Sequence, residues 1–432
     1  MAQALTTRRE VQNPIANLPH AVGSLPDSTS PPLRVLHIIT DLSVAGAEMK
    51  LYKLLATTNR QRFAPTVVSL RDRGELREWI EALGIPVHTL GISGSLPTPA
   101  SVYRLLRIVR RTRPDVIHGW MYHGNLAAQF ARAFAQKRSS VLWSVHQSLY
   151  GFSYEKRLTA LVIKLGARLA GRPEKIVYVS RTSAAQHEAA GYNPEKTQVV
   201  PYGFDTEKFA PSVAARSALR QELGLPEDAL LIGMIGRYHP VKDHDNFLRA
   251  AERVLQSRPE VRFVLCGKGV DRDNAALRVQ IKKHQIRHAM HLLGERRDIQ
   301  RIMAGLDIAV SSSRSEGFPN VVGEAMSSGV PCVVTAVSDL PEIVGPTGCV
   351  VPPGDCAALA AAIGDLISEG ATGRRALGAA ARSRIIERYS LESSVAQYEA
   401  IYESLTAQTT GDIRQSLLLS QASRSLTMQS RD

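Results

Sequence analysis

Two glutamates that flank a short glycine–phenylalanine–proline loop are the strongest candidates for chemistry in this sequence. The segment consists of Glu316, Gly317, Phe318, Pro319, Asn320 and Val321, followed after Val-Gly by Glu324. Proline fits the first turn of a helix, so we predict a helix over 321–327 that ends at Gly329. Its free N–H groups and dipole would attract phosphate, while the two carboxylates would bind hydroxyls. The pattern therefore predicts a nucleotide-sugar site.

The context of the two glutamates supports this interpretation over a chance pair on a solvated surface. The apolar run 306–310 precedes the loop and the apolar run 330–335 follows it. We predict both runs as strands, which places the loop at the carboxyl end of a strand. Ligands of open α/β sheets bind at that edge.

A second candidate is a basic loop after another predicted strand. Gly236 would allow close approach of a ligand to the backbone, and Arg237 and Lys242 suit a diphosphate. The two cations could also neutralise the charge that develops on a departing nucleoside diphosphate. The alternative is an ordinary solvated basic loop.

Smaller signals lie in the first half of the chain and beside the second candidate. The loop around Gly46 enters a predicted helix and could approach a phosphate. We place His118 and His146 at strand ends and His123 at a helix start, and we favour His123 as the contact to a donor sugar. Arg296 could stack on a nucleotide base. The alternatives are packed or solvated histidines and ordinary surface turns.

Composition limits the classes of partner. The chain has 432 residues and a net charge of +13, which favours anionic partners. We predict no nucleic-acid partner, because no basic block alternates with aromatic residues. The four cysteines suggest neither a disulfide framework nor a zinc site, which predicts a reducing compartment. With no signal-peptide core and no apolar run of about 18 residues, we expect a cytoplasmic protein.

Alternating strand and helix patterns predict an α/β fold with parallel sheets in two similar halves. In the first half, strands are expected at 34–39, 66–70, 87–90, 116–118, 141–145 and 175–179, with helices at 47–57, 75–83, 102–111, 125–136 and 154–170. In the second half, strands are expected at 230–235, 262–266, 290–293, 308–311, 332–335 and 349–351, with helices at 357–368, 373–388 and 392–405. A ligand would bind in the cleft between the halves.

Together these residues resemble the retaining GT-B glycosyltransferases called family four, over about residues 33–406. The marks are the segment Glu316–Glu324, Gly236-Arg237 with Lys242, the Ala-Gly46-Ala-Glu48 loop and the run 200–209. Four positions depart from the usual family pattern: Ala45, Asp243, the Tyr202–Phe204 stretch, and Trp120, where a histidine is common.

The resemblance implies two Rossmann-like domains facing across a cleft. We expect a disordered arm (1–32), an acceptor domain (33–205), a nucleotide-sugar domain (206–388), a crossover helix returning to the first domain (389–408) and a flexible tail (409–432). Arg237 and Lys242 would hold the diphosphate, Glu324 the ribose and Glu316 the donor sugar. The leaving phosphate would take the acceptor proton in a front-face reaction, without metal or cofactor.

We therefore predict a retaining transferase that moves a sugar from a UDP- or GDP-type donor to a glycan or lipid-linked acceptor in cell-surface or exopolysaccharide synthesis. The basic charge and the apolar segment 154–168 suit peripheral contact with the inner face of the cell membrane, although packing against the sheet is an alternative for that segment. The rival functions are synthesis of a soluble glycoside, a silent GT-B scaffold and a nucleotide-sugar epimerase.

Overall fold

The computed structural model describes residues 31–407, except 45, 73, 95, 137, 150 and 153–155. The first thirty residues of the predicted arm and the predicted tail lie outside the described residues. The strands are β1 Leu33–Ile39, β2 Phe63–Ser69, β3 Val87–Thr89, β4 Val116–Trp120, β5 Ser140–Val145, β6 Lys175–Tyr178, β7 Thr197–Val199, β8 Leu231–Ile235, β9 Arg262–Cys266, β10 Met290–Leu292, β11 Ile308–Ser311, β12 Cys332–Thr335 and β13 Cys349–Val351.

Helices connect the strands, as the alternating pattern predicted. They are α1 Gly46–Thr57, α2 Leu76–Ala82, α3 Pro99–Thr112, α4 Met121–Arg132, α5 Arg157–Leu169, α6 Arg181–Ala189, α7 Val213–Leu223, α8 His244–Ser257, α9 Ala275–Lys283, α10 Ile299–Gly305, α11 Asn320–Ser327, α12 Leu340–Val344, α13 Cys356–Ser368 and α14 Gly370–Tyr389. A further helix, α15, runs over 391–407. Tyr154 and Glu155 of the predicted 154–170 helix lie outside the described residues.

Both sheets are parallel, which confirms the predicted fold class. The first has seven strands in the order β3-β2-β1-β4-β5-β6-β7, and the second has six in the order β10-β9-β8-β11-β12-β13. Their central strands are largely buried, as in β5, where all six residues are buried and four are apolar. Burial of this kind is typical of parallel sheets with both faces covered.

Contacts within the described chain define two compact units. The first unit contains the described residues up to Ser144, together with Arg172–Glu174 and the chain from Ile401 onward, and the second contains Val145–Gly171 and Lys175–Ala400. The predicted limits of the acceptor and nucleotide-sugar domains remain predictions.

The order of strands in the second sheet explains how its loops are positioned. β8 and β11 are neighbours, and Ile308 pairs with Ile232 in a parallel register. Gly236 follows the carboxyl end of β8, and Glu316 follows that of β11. Because parallel strands end at one edge of the sheet, the two loops meet there.

The secondary structure differs from the predictions mainly in short elements. The predictions omitted β7 and six helices (α6 to α10 and α12), several of which have few large apolar residues. In α6, for example, the helix start is marked by a cap instead, because the Ser180 hydroxyl accepts the N–H of Ser183. β4 also extends two residues beyond the predicted end at His118, as far as Trp120.

Candidate functional site

Lys242 lies in a short turn between β8 and α8. The turn is one 3-10 segment, Pro240–Lys242, and His239 begins it by accepting the N–H of Val241. Asp243 then adopts a left-handed conformation, with φ 50°, and its carboxylate accepts the N–H of Asn246 at the start of α8. The left-handed residue ends one helix and caps the next, which fixes the direction in which Lys242 points.

Hydrogen bonds join this turn to the loop that follows β11. The Ser312 hydroxyl donates to the carbonyls of Lys242 and Asp243, at 2.9 and 3.1 Å. The Arg314 N–H donates to the carbonyl of Val241 at 2.8 Å, and the Arg314 side chain forms an ion pair with Asp243. The loop that carries Lys242 and the loop that carries Glu316 are therefore held as one structure.

Glu316 and Lys242 form an ion pair where the two loops meet. Lys242 Nζ lies 2.5 Å from Glu316 Oε1, and the Ser313 hydroxyl donates to the same oxygen at 2.6 Å. Glu316 is 8% exposed, so its charge is largely removed from water. The Thr335 hydroxyl fixes the loop from β12 by donating to the Ser313 carbonyl at 2.6 Å. A buried charge held in this way is positioned for a ligand.

The arrangement shows residues that the sequence argument missed. Ser312, Ser313 and Thr335 orient the two charged residues, although none was a candidate. The only sequence signal was the run of three serines, 311–313, which begins at the last residue of a predicted strand.

Arg237 precedes Lys242 by five residues and is exposed just after the carboxyl end of β8. The Gly236 N–H donates to the carbonyl of Cys266 at 2.8 Å, so the loop follows the neighbouring strand closely. A Cβ at Gly267 would come within 2.2 Å of the Gly236 carbonyl oxygen, at a backbone φ of 147°. Only glycine fits there, and it allows the loops after β8 and β9 to pack together.

The helix after Glu316 begins at Asn320, one residue earlier than the predicted 321–327 helix. Pro319 precedes α11 and is not in its first turn. The N–H groups of Asn320 and Val322 already donate to the carbonyls of Phe318 and Pro319. Two of the expected phosphate donors are therefore engaged within the loop. Val321 and Glu324 are half-buried in the first two turns of the helix.

Aromatic packing supports the loop from behind. The Phe318 ring lies 5.8 Å from that of Phe204 in a stacked arrangement and 5.0 Å from that of Tyr202. A Cβ at Gly323 would come 2.0 Å from the Phe204 ring, so this helix position has no room for a side chain. A Cβ at Gly317 would lie 3.7 Å from the Ser148 backbone nitrogen, an ordinary van der Waals distance, so a small side chain would fit there.

His118 is not at a strand end, contrary to the prediction. It lies inside β4, is fully buried, and bonds through Nδ1 to the Tyr402 hydroxyl at 2.9 Å and through Nε2 to the Ser144 hydroxyl at 2.6 Å. Both ring nitrogens are thus engaged in the interior of the first unit. In this structure His118 presents no surface to a ligand, because the strand continues past it to Trp120.

His37 lies beside His118 in the same buried cluster and should make stability sensitive to acid. The Trp120 indole N–H donates to His37 Nδ1, which must be unprotonated, and burial lowers the pKa of His37 to about 3. The unfolded chain therefore binds a proton that the folded chain excludes, so stability should fall as pH drops from 6.5 towards 3. We expect His37→Asn, which keeps an acceptor, to reduce this loss in urea titrations between pH 7 and 4. An unchanged pH dependence would contradict this assignment.

The other first-half candidates lie at element ends. His123 is the third residue of α4 and is half-buried, and its pKa is lowered by burial and by the charge of Arg71. Gly46 is the exposed first residue of α1. His146 directly follows β5, and its ring packs 5.7 Å from that of Tyr202. Contact of these residues with a ligand stays a prediction.

Arg296 is held by carboxylates. It forms ion pairs with Asp298 at 2.8 Å and Glu222 at 2.7 Å, and these hydrogen bonds raise its pKa. A guanidinium bound on two edges keeps its planar face available, so stacking on a base stays a prediction.

Metal-ligand spacings occur in the sequence without forming a site. Asp243 and Asp245, Asp271 and Asp273, and His284 and His288 have spacings that can suit metals. The part of the chain that the structure describes contains no group of three or more His, Cys, Asp or Glu placed to hold an ion. No helix among the described residues has the length and apolar composition needed to cross a membrane.

Comparisons with known proteins match both halves of the chain. The family described as glycosyl transferases group 1 matches residues 229–369, and that described as glycosyltransferase family 4 matches residues 44–208. The first range contains Arg237, Lys242, Glu316 and Glu324.

Individual relatives cover most of the chain. The UDP-Gal:alpha-D-GlcNAc-diphosphoundecaprenol alpha-1,3-galactosyltransferase of Escherichia coli is 24% identical over 72% of this chain and 81% of its own. A GDP-mannose-dependent monoacylated alpha-(1-6)-phosphatidylinositol monomannoside mannosyltransferase of Corynebacterium glutamicum is 25% identical over 81% of this chain and 92% of its own. The crystal structure of Anabaena HepE with UDP has a TM-score of 0.74 at 23% identity, over 86% of this chain and all of that one, which shows a shared fold.

Proposed function

This chain belongs to the GT-B glycosyltransferases, with group 1 and family 4 domains, and from that premise we propose a retaining enzyme that uses a nucleoside-diphosphate sugar. The observation that carries the proposal is the Lys242–Glu316 ion pair at the carboxyl edge of the second sheet. A cation that can bind phosphate thus lies beside a carboxylate that can bind sugar hydroxyls, which supports the proposal.

The proposed roles follow from the chemistry of each group. Arg237 and Lys242 bind the diphosphate, and Glu316 accepts hydrogen bonds from hydroxyls of the donor sugar. Glu324 binds the ribose hydroxyls. When the donor enters, its phosphate competes with Glu316 for the Lys242 ammonium and leaves the carboxylate for the sugar.

In the proposed reaction the bond from the anomeric carbon to the diphosphate oxygen breaks as the acceptor oxygen bonds to the same face of that carbon. The acceptor proton passes to an oxygen of the leaving diphosphate. Negative charge therefore grows on the diphosphate, where Arg237 and Lys242 stabilise it. Because the side chains of Arg237 and Lys242 supply compensating positive charge, we propose that transfer needs no metal.

We propose a UDP- or GDP-type donor and a glycan or lipid-linked acceptor. The names of the Escherichia coli and Corynebacterium relatives specify UDP-Gal and GDP-mannose donors and lipid-linked acceptors, and HepE was solved with UDP. Transfer of a sugar to a lipid-linked acceptor suits a protein located at the inner face of the membrane. On α5, Leu158, Leu161 and Leu165 are exposed at helical spacing, which supports peripheral contact there.

Calorimetric titration with UDP, GDP and ADP in EDTA tests the proposal. We expect metal-free binding of one of these nucleotides, and addition of a labelled sugar donor should then identify the transferred sugar. Binding only after Mg²⁺ or Mn²⁺ is restored would contradict metal independence. Failure of all three to bind, with or without metal, would favour the scaffold alternative.

Glu324→Ala should weaken binding of the nucleotide found in that titration. Loss of hydrogen bonds to a charged group costs about 1.5–3 kcal/mol, which corresponds to roughly a tenfold to hundredfold rise in Kd. The measurement is calorimetry with the nucleoside diphosphate and with inorganic pyrophosphate, which has the two phosphates but neither base nor ribose. Because pyrophosphate has no ribose, its affinity should stay unchanged. An equal loss for both ligands would point to a damaged helix instead of a ribose contact.

A further inference from the structure

A cavity of about 380 Å³ lies in the first unit, between α3 and the edge strand β3. Its polar walls come from Arg104, Arg107, Arg111 and Thr112 of α3 and from His88 and Thr89 of β3. No carboxylate lines it. Every charged group that faces this space is therefore positive, unlike the donor site, where Lys242 is paired.

The helix that forms one wall has a charge pattern that is unfavourable by itself. α3 contains four arginines and ends at a fifth, Arg113, and the segment 96–113 has no acidic residue. Arg107 is spaced three residues from Arg104 and four from Arg111. Like charges at those spacings destabilise a helix, and an anion bound between them would remove the repulsion.

The arginines are arranged to act together on one ligand. Arg104 Nη1 donates to the Leu90 carbonyl at 3.2 Å, which fixes this guanidinium across the rim and leaves its other N–H groups available. The charge of Arg111 adds to burial in lowering the pKa of His88, so the positive field of the helix reaches the strand side of the cavity. The Thr89 hydroxyl supplies a further donor, whereas the Thr112 hydroxyl already donates to the Ile108 carbonyl at 2.9 Å.

We propose that this cavity binds a phosphate-bearing anion, independently of the sugar donor. Guanidinium groups match phosphate oxygens through paired hydrogen bonds, and three arginines that line one cavity suit a doubly charged phosphate or a diphosphate. The same chemistry belongs to a soluble phosphate compound and to the headgroup of an anionic lipid. Leu96, which precedes α3, and Tyr103, which lies on it, are 74% and 68% exposed. Both side chains are suited to contact with a lipid surface.

Two variants of α3 separate a cavity site from general attraction by a basic helix. Arg107→Ser with Arg111→Ser removes two cavity arginines, whereas Arg110→Ser with Arg113→Asn removes two arginines of the same segment that do not line the cavity. Asparagine is chosen at 113 because this residue has a left-handed backbone, with φ 45°. Circular dichroism and thermal melting verify that both variants fold.

Binding is measured in full-length protein carrying Arg237→Ala and Lys242→Ala, so that the donor site does not bind the probe. The probes are inorganic pyrophosphate, by calorimetry, and vesicles of phosphatidylcholine with or without phosphatidic acid, by flotation. We expect the cavity variant to lose at least about tenfold in affinity and the control variant less than about twofold, since each lost Arg–phosphate bond is charge-assisted. Binding of pyrophosphate would assign a soluble ligand, and binding of acidic vesicles alone would assign a lipid headgroup.

Two results would overturn the proposal. Equal losses in the cavity and control variants would show that only the net charge of α3 matters. If the protein with an unaltered α3 binds neither pyrophosphate nor acidic vesicles, the cavity does not bind phosphate. Neither result bears on sugar transfer, because the donor site is measured separately with the nucleotides.

Discussion

Lys242→Ala is expected to reduce kcat/KM for sugar transfer by about a hundredfold to a thousandfold, the usual effect of removing one group that stabilises developing charge. The ammonium is held beside Glu316 by two loops that are joined through Ser312, so its position does not depend on the ligand. The loss should fall mainly on kcat, because in the proposed reaction the charge on the departing diphosphate is greatest in the transition state.

Glu316→Ala should have an effect of similar size, with a different signature. It removes the proposed contact to the donor sugar and leaves Lys242 without its carboxylate partner. Binding of the free nucleoside diphosphate should therefore persist or tighten, while transfer is lost. Glu316→Gln separates the two effects, since it keeps the shape and the acceptor oxygen but not the charge.

An exposed lysine of the same unit provides the control for both variants. Lys282 lies on α9, and Lys282→Ala removes one positive charge at a surface that has no role in the proposed site. Its kinetics should match those of the unmodified enzyme. Initial rates with the identified donor and unchanged far-ultraviolet circular dichroism complete the measurement. Near-normal turnover in Lys242→Ala or Glu316→Ala would remove the site assignment.

The parts of the site that the sequence could predict are those fixed by where the strands end. In the second half, the strands β9, β11, β12 and β13 begin and end where apolar runs predicted them. The sequence places Lys242 and Glu316 in loops after two predicted strands, and the resemblance assigns both residues to the donor. The structure then shows that β8 and β11 are neighbours, so the two loops meet at one edge of the sheet.

The parts that could not be predicted depend on contacts between distant residues. Ser313 and Thr335 fix Glu316, but serine and threonine occur throughout the chain and carry no signal of such a role. His118 has the residue type of a catalytic group, yet its two partners, Ser144 and Tyr402, are 26 and 284 residues away. A single sequence shows the type of a histidine but not whether both its nitrogens are already bonded.

Arg220 provides the largest expected effect on stability. It is fully buried, and its guanidinium donates to Asp307 at 2.7 Å and to the carbonyls of Ala229 and Gly305 at 2.8 and 3.0 Å. Arg220→Met fills similar space without these donors. Removing one partner of a buried ion pair costs about 3–5 kcal/mol, because the remaining charge and carbonyls lose their compensation.

Asp307, the partner of Arg220, lies at the opposite edge of the sheet from the candidate site. Its carboxylate also accepts the N–H of Leu231 at 2.8 Å, so it joins the starts of β8 and β11, the strands whose far ends carry Lys242 and Glu316. Loss of Arg220 should therefore lower the fraction of folded enzyme. It should not change the donor KM of the molecules that remain folded, because the loops at the other edge keep their own hydrogen bonds.

Urea unfolding followed by circular dichroism measures the effect, with Arg216→Ala as the matched control. Arg216 pairs with the same carboxylate at 2.5 Å but is 35% exposed, so water screens its charge more than that of the buried Arg220. We expect Arg220→Met to lower the urea midpoint strongly and Arg216→Ala to lower it slightly. Equal shifts would show that Asp307 needs only one arginine and that burial of Arg220 adds nothing to the stability of the sheet.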